Sequence, residues 1–255
     1  MAQAKLKVIL LRATPDPDEL VALGARLCYA KADLDALQQR VESGDQRAFV
    51  ERVMQRGHLS VTEHANFTFA VEGVSRTLTH QLVRHRLASF NQQSQRYVTF
   101  TDEPQFIEPE TVAADPQAHE QFSQAVDEAF AAYHHLVELG IPAEDARYLL
   151  PNACETKITV TMNIRELLHF FNLRCCNRAQ WEIRAMAQKM LELVRPTAPY
   201  IFLDAGPSCV RGSCPEGRMS CGNPSPIVSR EDFDAALKAA ASHASDERAT
   251  VESDE

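Results

Sequence analysis

The apolar positions along the chain change period several times. Lys5 to Thr14, with Val8, Ile9, Leu10 and Leu11, predicts a strand. Pro17-Asp18-Glu19 then opens a helix predicted to reach Tyr29, with Leu20, Leu23, Gly24 and Leu27 on its inner face. Asp45 suits the start of a helix carrying Phe49, Val53 and Met54, and Gly57 stops it. From Ala65 to Glu72 the pattern alternates, Phe67, Phe69 and Val71 facing Asn66, Thr68 and Ala70, as a half-buried strand does. Gly73 is expected to break that strand. Ser75 caps a short helix through His85, with Leu78 and Leu82 turned inward.

The second half continues the mixture. Pro104, Pro109 and Pro116 bracket a loop, and Gln117 to Leu139 is the longest helical pattern, closed by Gly140 and Pro142. A short helix from Ala143 to Leu150 ends at Pro151, and Thr156 to Met162 alternates as a strand. Asn163 with Glu166 forms a capping-box pattern ahead of Leu167, Leu168, Phe170 and Phe171. A helix from Ala179 to Val194 stops at Pro196, with Trp181 expected in the core. Helices and strands without regular βαβ alternation predict an α+β class, a mixed sheet with packed helices in a single domain. The expected divisions are a folded body over 1–204, a Cys/Gly/Pro-rich arm over 205–241 with a short helix capped by Ser229, and an acidic disordered tail over 242–255.

Composition narrows the function. At 255 residues the chain is one large domain or a domain with an appendage, and 45% apolar with 24% charged residues excludes a disordered or fibrous chain. No apolar run approaches the roughly 18–20 residues of a membrane helix, and the run before Arg12 is too short for a secretory signal, so a cytoplasmic chain is expected. The net charge of −9 argues against a nucleic-acid partner. Among the bases 20 are Arg and 6 are Lys, which suits phosphate and carboxylate recognition and equally suits the habit of a GC-rich genome.

Position separates these readings. In Arg84-His85-Arg86-Leu87-Ala88-Ser89-Phe90-Asn91-Gln92-Gln93-Ser94-Gln95-Arg96-Tyr97, hydroxyls, amides and guanidiniums crowd into one polar run. Gln81, Arg84 and His85, at i, i+3 and i+4, are expected on one helix face. Such donors suit a phosphorylated, amide-bearing ligand such as a nucleotide. A solvated turn with surface arginines has the same composition.

The stretch matches R-H-R-x-x-S-x-N-x-x-S-x-R-Y at every specified position, and so resembles the signature of the flavin-dependent thymidylate synthases. The likeness extends over residues 5–203, through His58, Ser60, Glu63-His64, Arg147 before Leu149-Leu150-Pro151, and Asn163-Ile164-Arg165 to Arg174. The resemblance implies a methyltransferase that converts dUMP to dTMP with 5,10-methylenetetrahydrofolate and NADPH through FAD. It also implies a homotetramer whose active sites are shared between subunits. By that resemblance Ser60, Arg84, His85, Arg86, Gln92, Asn163, Arg165 and His169 are flavin contacts. Gln81, Arg84, Gln92, Ser94, Gln95, Arg96, Arg147 and Arg174 are dUMP contacts, and Arg174 is the catalytic group. Some family members carry Glu where this chain has Gln92.

Several residues keep a second reading. His58 reads as a pocket wall, His64 as structural, and His134 and His135 as surface residues. Cys175 and Cys176, beside Arg174, read as small buried hydrophobes or as a nucleophilic thiolate. Cys209, Cys214 and Cys221 have a spacing that fits no standard zinc pattern, with Cys154, Cys175 or Cys176 as a conceivable fourth ligand, and no metal site is assigned. Two further functions share the pattern: a flavoprotein of this fold acting on another nucleotide, and a non-catalytic nucleotide-binding protein.

Overall fold

The computed structural model describes residues 3–99, 105–226 and 231. Apart from residue 231, the helix expected from Ser229 and the tail from 242 lie outside them. Strands β1 (Lys7–Ala13), β2 (Asn66–Ser75), β3 (Ala88–Gln92) and β4 (Glu155–Asn163) form an antiparallel sheet in the order β1-β2-β4-β3. Among the described residues the helices are α1 (Pro17–Leu27), α2 (Leu34–Glu42), α3 (Arg47–Gln55), α4 (Arg76–Leu82), α5 (Glu110–Ala113), α6 (Pro116–Glu138), α7 (Ala143–Ala146), α8 (Ile164–Arg174) and α9 (Trp181–Val194). The class is α+β, as the pattern predicts. None of these helices is long and apolar enough to cross a membrane.

Contacts group the chain into two compact units, Met1–Ile9 with Thr68–Thr161, and Leu10–Phe67 with Met162–Glu255. In the first, Phe106, Val126, Phe130 and Cys154 form a buried cluster against which Phe122, Leu150 and Ala153 pack. Phe69, Val71, Leu78 and Leu82 are buried at the alternating and helical positions that predict it. Gly73 does not break β2. Its φ of 69° is left-handed, a Cβ there would stand 1.9 Å from the Lys5 carbonyl oxygen, and its N–H donates to the buried Glu155 carboxylate at 2.9 Å. The glycine admits a close backbone crossing while the strand runs on to Ser75.

In the second unit, Phe202 packs edge-on against Phe67 and Phe171, with ring centroids 5.8 and 6.0 Å away. Helix α1 buries Val21, Ala22 and Ala25 rather than the expected stripe, and Leu27 is left 47% exposed. Helix α2 has no counterpart in the sequence reading, because its apolar stripe is only Leu37 and Val41; Asp33 caps it by accepting from the Ala36 N–H at 2.8 Å. Helix α9 begins at Trp181, where Gln180 accepts from the Ile183 N–H at 3.1 Å, and Trp181 is half-buried rather than in the core.

Asp18 is the unusual group in this unit. It is 8% exposed, its Oδ2 accepts from the Tyr200 N–H at 3.2 Å, and Oδ1 has no partner among the described residues. Burial pushes its carboxyl up to about 7, against the two backbone N–H groups of Tyr200 and Ile201 that pull it down. The folded state therefore holds a proton that the unfolded chain releases near pH 4, and the resulting loss of stability grows as pH rises from about 4 to 7. Asp18→Asn keeps the acceptor and removes the charge. Its unfolding free energy should exceed the parent's by on the order of 2–4 kcal/mol above pH 7, with the gap closing towards pH 4. Chemical denaturation across that range measures it, and a gap independent of pH would refute the assignment.

Candidate active site

In the first unit the site starts at α4. The Ser75 hydroxyl accepts from the Leu78 N–H at 3.0 Å, and buried Leu78 and Leu82 fix the helix. The helix stops at Leu82, where the chain turns through Arg84 N–H to Gln81 O (3.3 Å) and His85 N–H to Leu82 O (3.1 Å). Gln81, Arg84 and His85 therefore do not share one helix face. His85 goes inward at 4% exposure, while Arg84 and Arg86 are exposed on either side of it.

The polar run after them begins as strand β3 and becomes a turn beyond Gln92. In β3, Ser89 and Asn91 are exposed while Phe90 and Gln92 are half-buried. The Gln92 amide donates to Thr79 Oγ1 at 3.1 Å and Thr156 Oγ1 at 3.2 Å. Its NH2 group is thereby used inside the unit, and its carbonyl oxygen remains as the acceptor. Ser94 Oγ accepts from the Arg96 N–H at 3.2 Å and shapes the turn that follows, and Gln95 reaches the Cys154 sulfur at 3.8 Å.

Glu144 then joins two of the predicted arginines. Its Oε2 accepts from Arg96 Nε at 2.9 Å and pairs with Nη2 at 2.8 Å, while its backbone carbonyl accepts from Arg147 Nε at 3.0 Å. Arg76 is within electrostatic reach of Arg147: burial lowers its guanidinium pKa, Cys154 opposes this, and the Arg147 cation lowers it further. Three guanidiniums with one carboxylate leave net positive charge for an anion. Arg76 and Glu144 were invisible as site residues, because each looks like an ordinary helix-end charge in the sequence.

In the second unit, Asn163 closes β4 and caps α8 by accepting from the Glu166 N–H at 2.9 Å. Ile164, Leu167, Phe170 and Phe171 bury one side of that helix, which leaves Arg165 and His169 exposed on the other. Arg165 pairs with Glu63 in the 3-10 turn Leu59–His64. Arg174 is half-buried at the end of α8, and burial lowers its pKa from the usual guanidinium value. It stays a cation at neutral pH, since Arg does not deprotonate in proteins.

Ser60 and His58 line a cavity of about 510 Å³ together with Tyr29, Phe49, Arg52 and Arg56. Aromatic faces, two cations and a hydroxyl suit an aromatic ligand that carries phosphate. The helical spacing of Phe49 and Arg52 on α3 and of Arg56 at its C-terminal cap is the signal that could have announced it.

The cysteines divide by burial. Burial pushes the Cys175 thiol up to about 12 and the Cys154 thiol up to about 11. That removes the thiolate reading of Cys175 and leaves it a small buried hydrophobe. Among the described residues no three His, Cys, Asp or Glu side chains gather as a metal would require. Cys209 accepts from the Ser225 N–H at 3.3 Å, and Cys221 is exposed.

Residues 9–200 match the family model described as Thymidylate synthase complementing protein. The flavin-dependent thymidylate synthase of Geobacter sulfurreducens is 56% identical over 219 residues, 85% of this chain and 94% of that relative. Its counterpart from Clostridium tetani is 46% identical, covering 85% of this chain and 93% of the relative. The counterpart from Pyrococcus abyssi is 42% identical, covering 84% and 91%. Among solved structures, the crystal structure of a UMP/dUMP methylase, PolB, from Streptomyces cacaoi bound with 5-Br dUMP superposes with a TM-score of 0.68. It is 26% identical and covers 78% of this chain and 94% of that one.

The division of the thiols is directly measurable. Iodoacetamide near neutral pH should label exposed Cys28 and Cys221 in the native protein, and should reach Cys154 and Cys175 only after denaturation. Mass spectrometry of the digest reads the sites, and native labelling of Cys175 at the Cys28 rate would restore the thiolate reading.

Proposed function

The chain belongs to the flavin-dependent thymidylate synthases, and on that premise we propose that it methylates dUMP to dTMP with 5,10-methylenetetrahydrofolate as carbon donor and NADPH as reductant, through FAD, without an enzyme nucleophile. The observation that carries the nucleotide half of this reading is the Glu144 bridge between Arg96 and Arg147, with Arg76 close by. A nucleoside monophosphate is close to a dianion at neutral pH, and its removal from water is costly unless several donors converge on it. Arg96, Arg147 and the Ser94 hydroxyl supply them. Both partners of the Arg96–Glu144 pair are about half exposed, so the pair is weak and yields readily to a phosphate.

The uracil ring presents a second problem, because its carbon 5 is a poor nucleophile. Arg174, held against N3 and O4, stabilises the deprotonated, enolate-like ring through a charge it cannot lose. Each unit by which the ring pKa falls requires about 1.4 kcal/mol of differential interaction. The high pKa of Cys175 leaves no thiolate next to Arg174 at that residue to add to the ring.

Each unit, taken by itself, also offers donors of the kind a flavin dinucleotide needs. Arg84, Arg86 and Arg165 offer exposed guanidiniums, Asn163 and His169 stand on the same helical segment as Arg165, and Ser60 lines the aromatic and cationic cavity. Gln81, His85, Gln92 and Gln95 complete the contacts that we assign, Gln92 through its carbonyl oxygen. Bound flavin supplies the two-electron carrier that reduces the transferred methylene to methyl, and the protein aligns the reactants. The family resemblance supports a homotetramer with shared active sites, which light scattering measures.

A second reading has one observation behind it: the solved relative is named for UMP as well as dUMP. Tritium release from the 5-tritiated nucleotides, dependent on methylenetetrahydrofolate, separates the two. Release from dUMP is expected, and release from UMP alone would overturn the assignment. Two variants should split the roles. Arg96→Ala should raise KM for dUMP by about 10-fold or more, with a smaller change in kcat. Arg174→Ala should lower kcat by about 100-fold or more while the flavin absorption band persists. Equal effects on KM and kcat in both would refute the division between phosphate binding and ring activation.

A further inference from the structure

The Cys/Gly/Pro-rich segment after residue 204 has no part in the function described so far, and it lies beyond the family match that ends at residue 200. Its attachments are nevertheless selective. Ala205, Gly206, Pro207 and Val210 are buried at its root, and the Arg195 guanidinium donates to the Ala205 carbonyl at 3.1 Å. Beyond Val210 most of the segment is exposed, so apolar burial does not hold it.

It is held by hydrogen bonds to residues on both sides of Arg174. Two positions before it, Asn172 Oδ1 accepts from Ser208 Oγ at 2.7 Å and from Arg211 Nη2 at 3.0 Å. Three positions after it, Asn177 Nδ2 donates to the Asn223 carbonyl at 2.8 Å. Arg178 donates to the Met219 carbonyl and lies 3.7 Å from the Glu216 carboxylate. Arg211 is itself braced by the Asp204 carbonyl at 2.9 Å, and the Ser225 N–H closes the segment back onto the Cys209 sulfur at 3.3 Å.

We propose that residues 205–226 are a clasp that fixes the end of α8 and so aims Arg174 at the uracil ring, with Asn172, Ser208 and Arg211 as positioning residues. The proposal rests on the reading of Arg174 given above. A helix end followed by a short connection frays easily, because its last carbonyls have no partners within the helix. A guanidinium carried there acts on a developing charge only if its direction is held. The clasp ties down the residues before and after Arg174. One acceptor, Asn172 Oδ1, takes both donors from the segment, so a single substitution opens that side.

The test uses the flavin-loaded full-length enzyme. Asn172→Ala and Arg211→Ala should lower kcat with dUMP by about 10-fold or more, as a reacting group displaced by about an ångström does. Flavin absorbance should stay unchanged, and dUMP affinity by calorimetry should change far less than kcat. Asn172→Asp keeps an oxygen acceptor for both donors and should recover most of the lost rate; a purely structural loss of packing would not show that recovery. Arg211 is exposed, so its variant folds even where Asn172→Ala does not. Parent-like kcat in Arg211→Ala and Asn172→Ala beside an inactive Arg174→Ala would overturn the clasp and leave the function intact. Equal loss in Asn172→Asp and Asn172→Ala would also overturn it. Parent-like kcat in Arg174→Ala would instead overturn the role given to Arg174.

Discussion

Guanidinium groups repel one another, and a protein that gathers several of them must hold its chain against that repulsion before any anion arrives. The Glu144 region meets this constraint in one turn of chain. Its carboxylate faces Arg96 from the end of the signature, and its carbonyl faces Arg147 three residues on. A carbonyl and a carboxylate together stabilise two cations while adding only one negative charge. The region therefore remains electropositive, and the ion pair is exposed enough to exchange for a phosphate.

The same economy appears in the second unit. Arg165 pairs with Glu63, while Arg174 is half-buried at the end of α8, next in sequence to the buried Cys175. In the function proposed above, Arg96 with its exposed, replaceable carboxylate partner binds phosphate, and half-buried Arg174 activates the ring.

Much of this was legible in the sequence, for identifiable reasons. Ser75 and Asn163 announced their helices because a capping oxygen has one place to bond, three residues on. Phe67, Phe69 and Val71 announced β2 through strict alternation. The misreadings share a different cause. Gly73 looked like a stop because glycine usually marks one, yet here it admits the Lys5 backbone. Helical spacing puts His85 with Arg84, although α4 ends at Leu82. Glu144 and Arg76 are unreadable because each has a partner far along the chain, Arg96 for Glu144 and Arg147 for Arg76, and no local pattern records that. The links from Asn172 to Ser208 and Arg211 were hidden in the same way, inside a segment whose composition suggests only a loop.

The crossing at Gly73 carries a consequence for heredity. A carbonyl oxygen occupies the volume where any other residue would place its first side-chain carbon, and the φ of 69° disfavours such a residue independently. Every glycine codon begins with two guanines, and only its third base can vary silently. At this triplet the gene is therefore free to drift in one letter and pinned in two, by an atom belonging to a residue nearly seventy positions upstream.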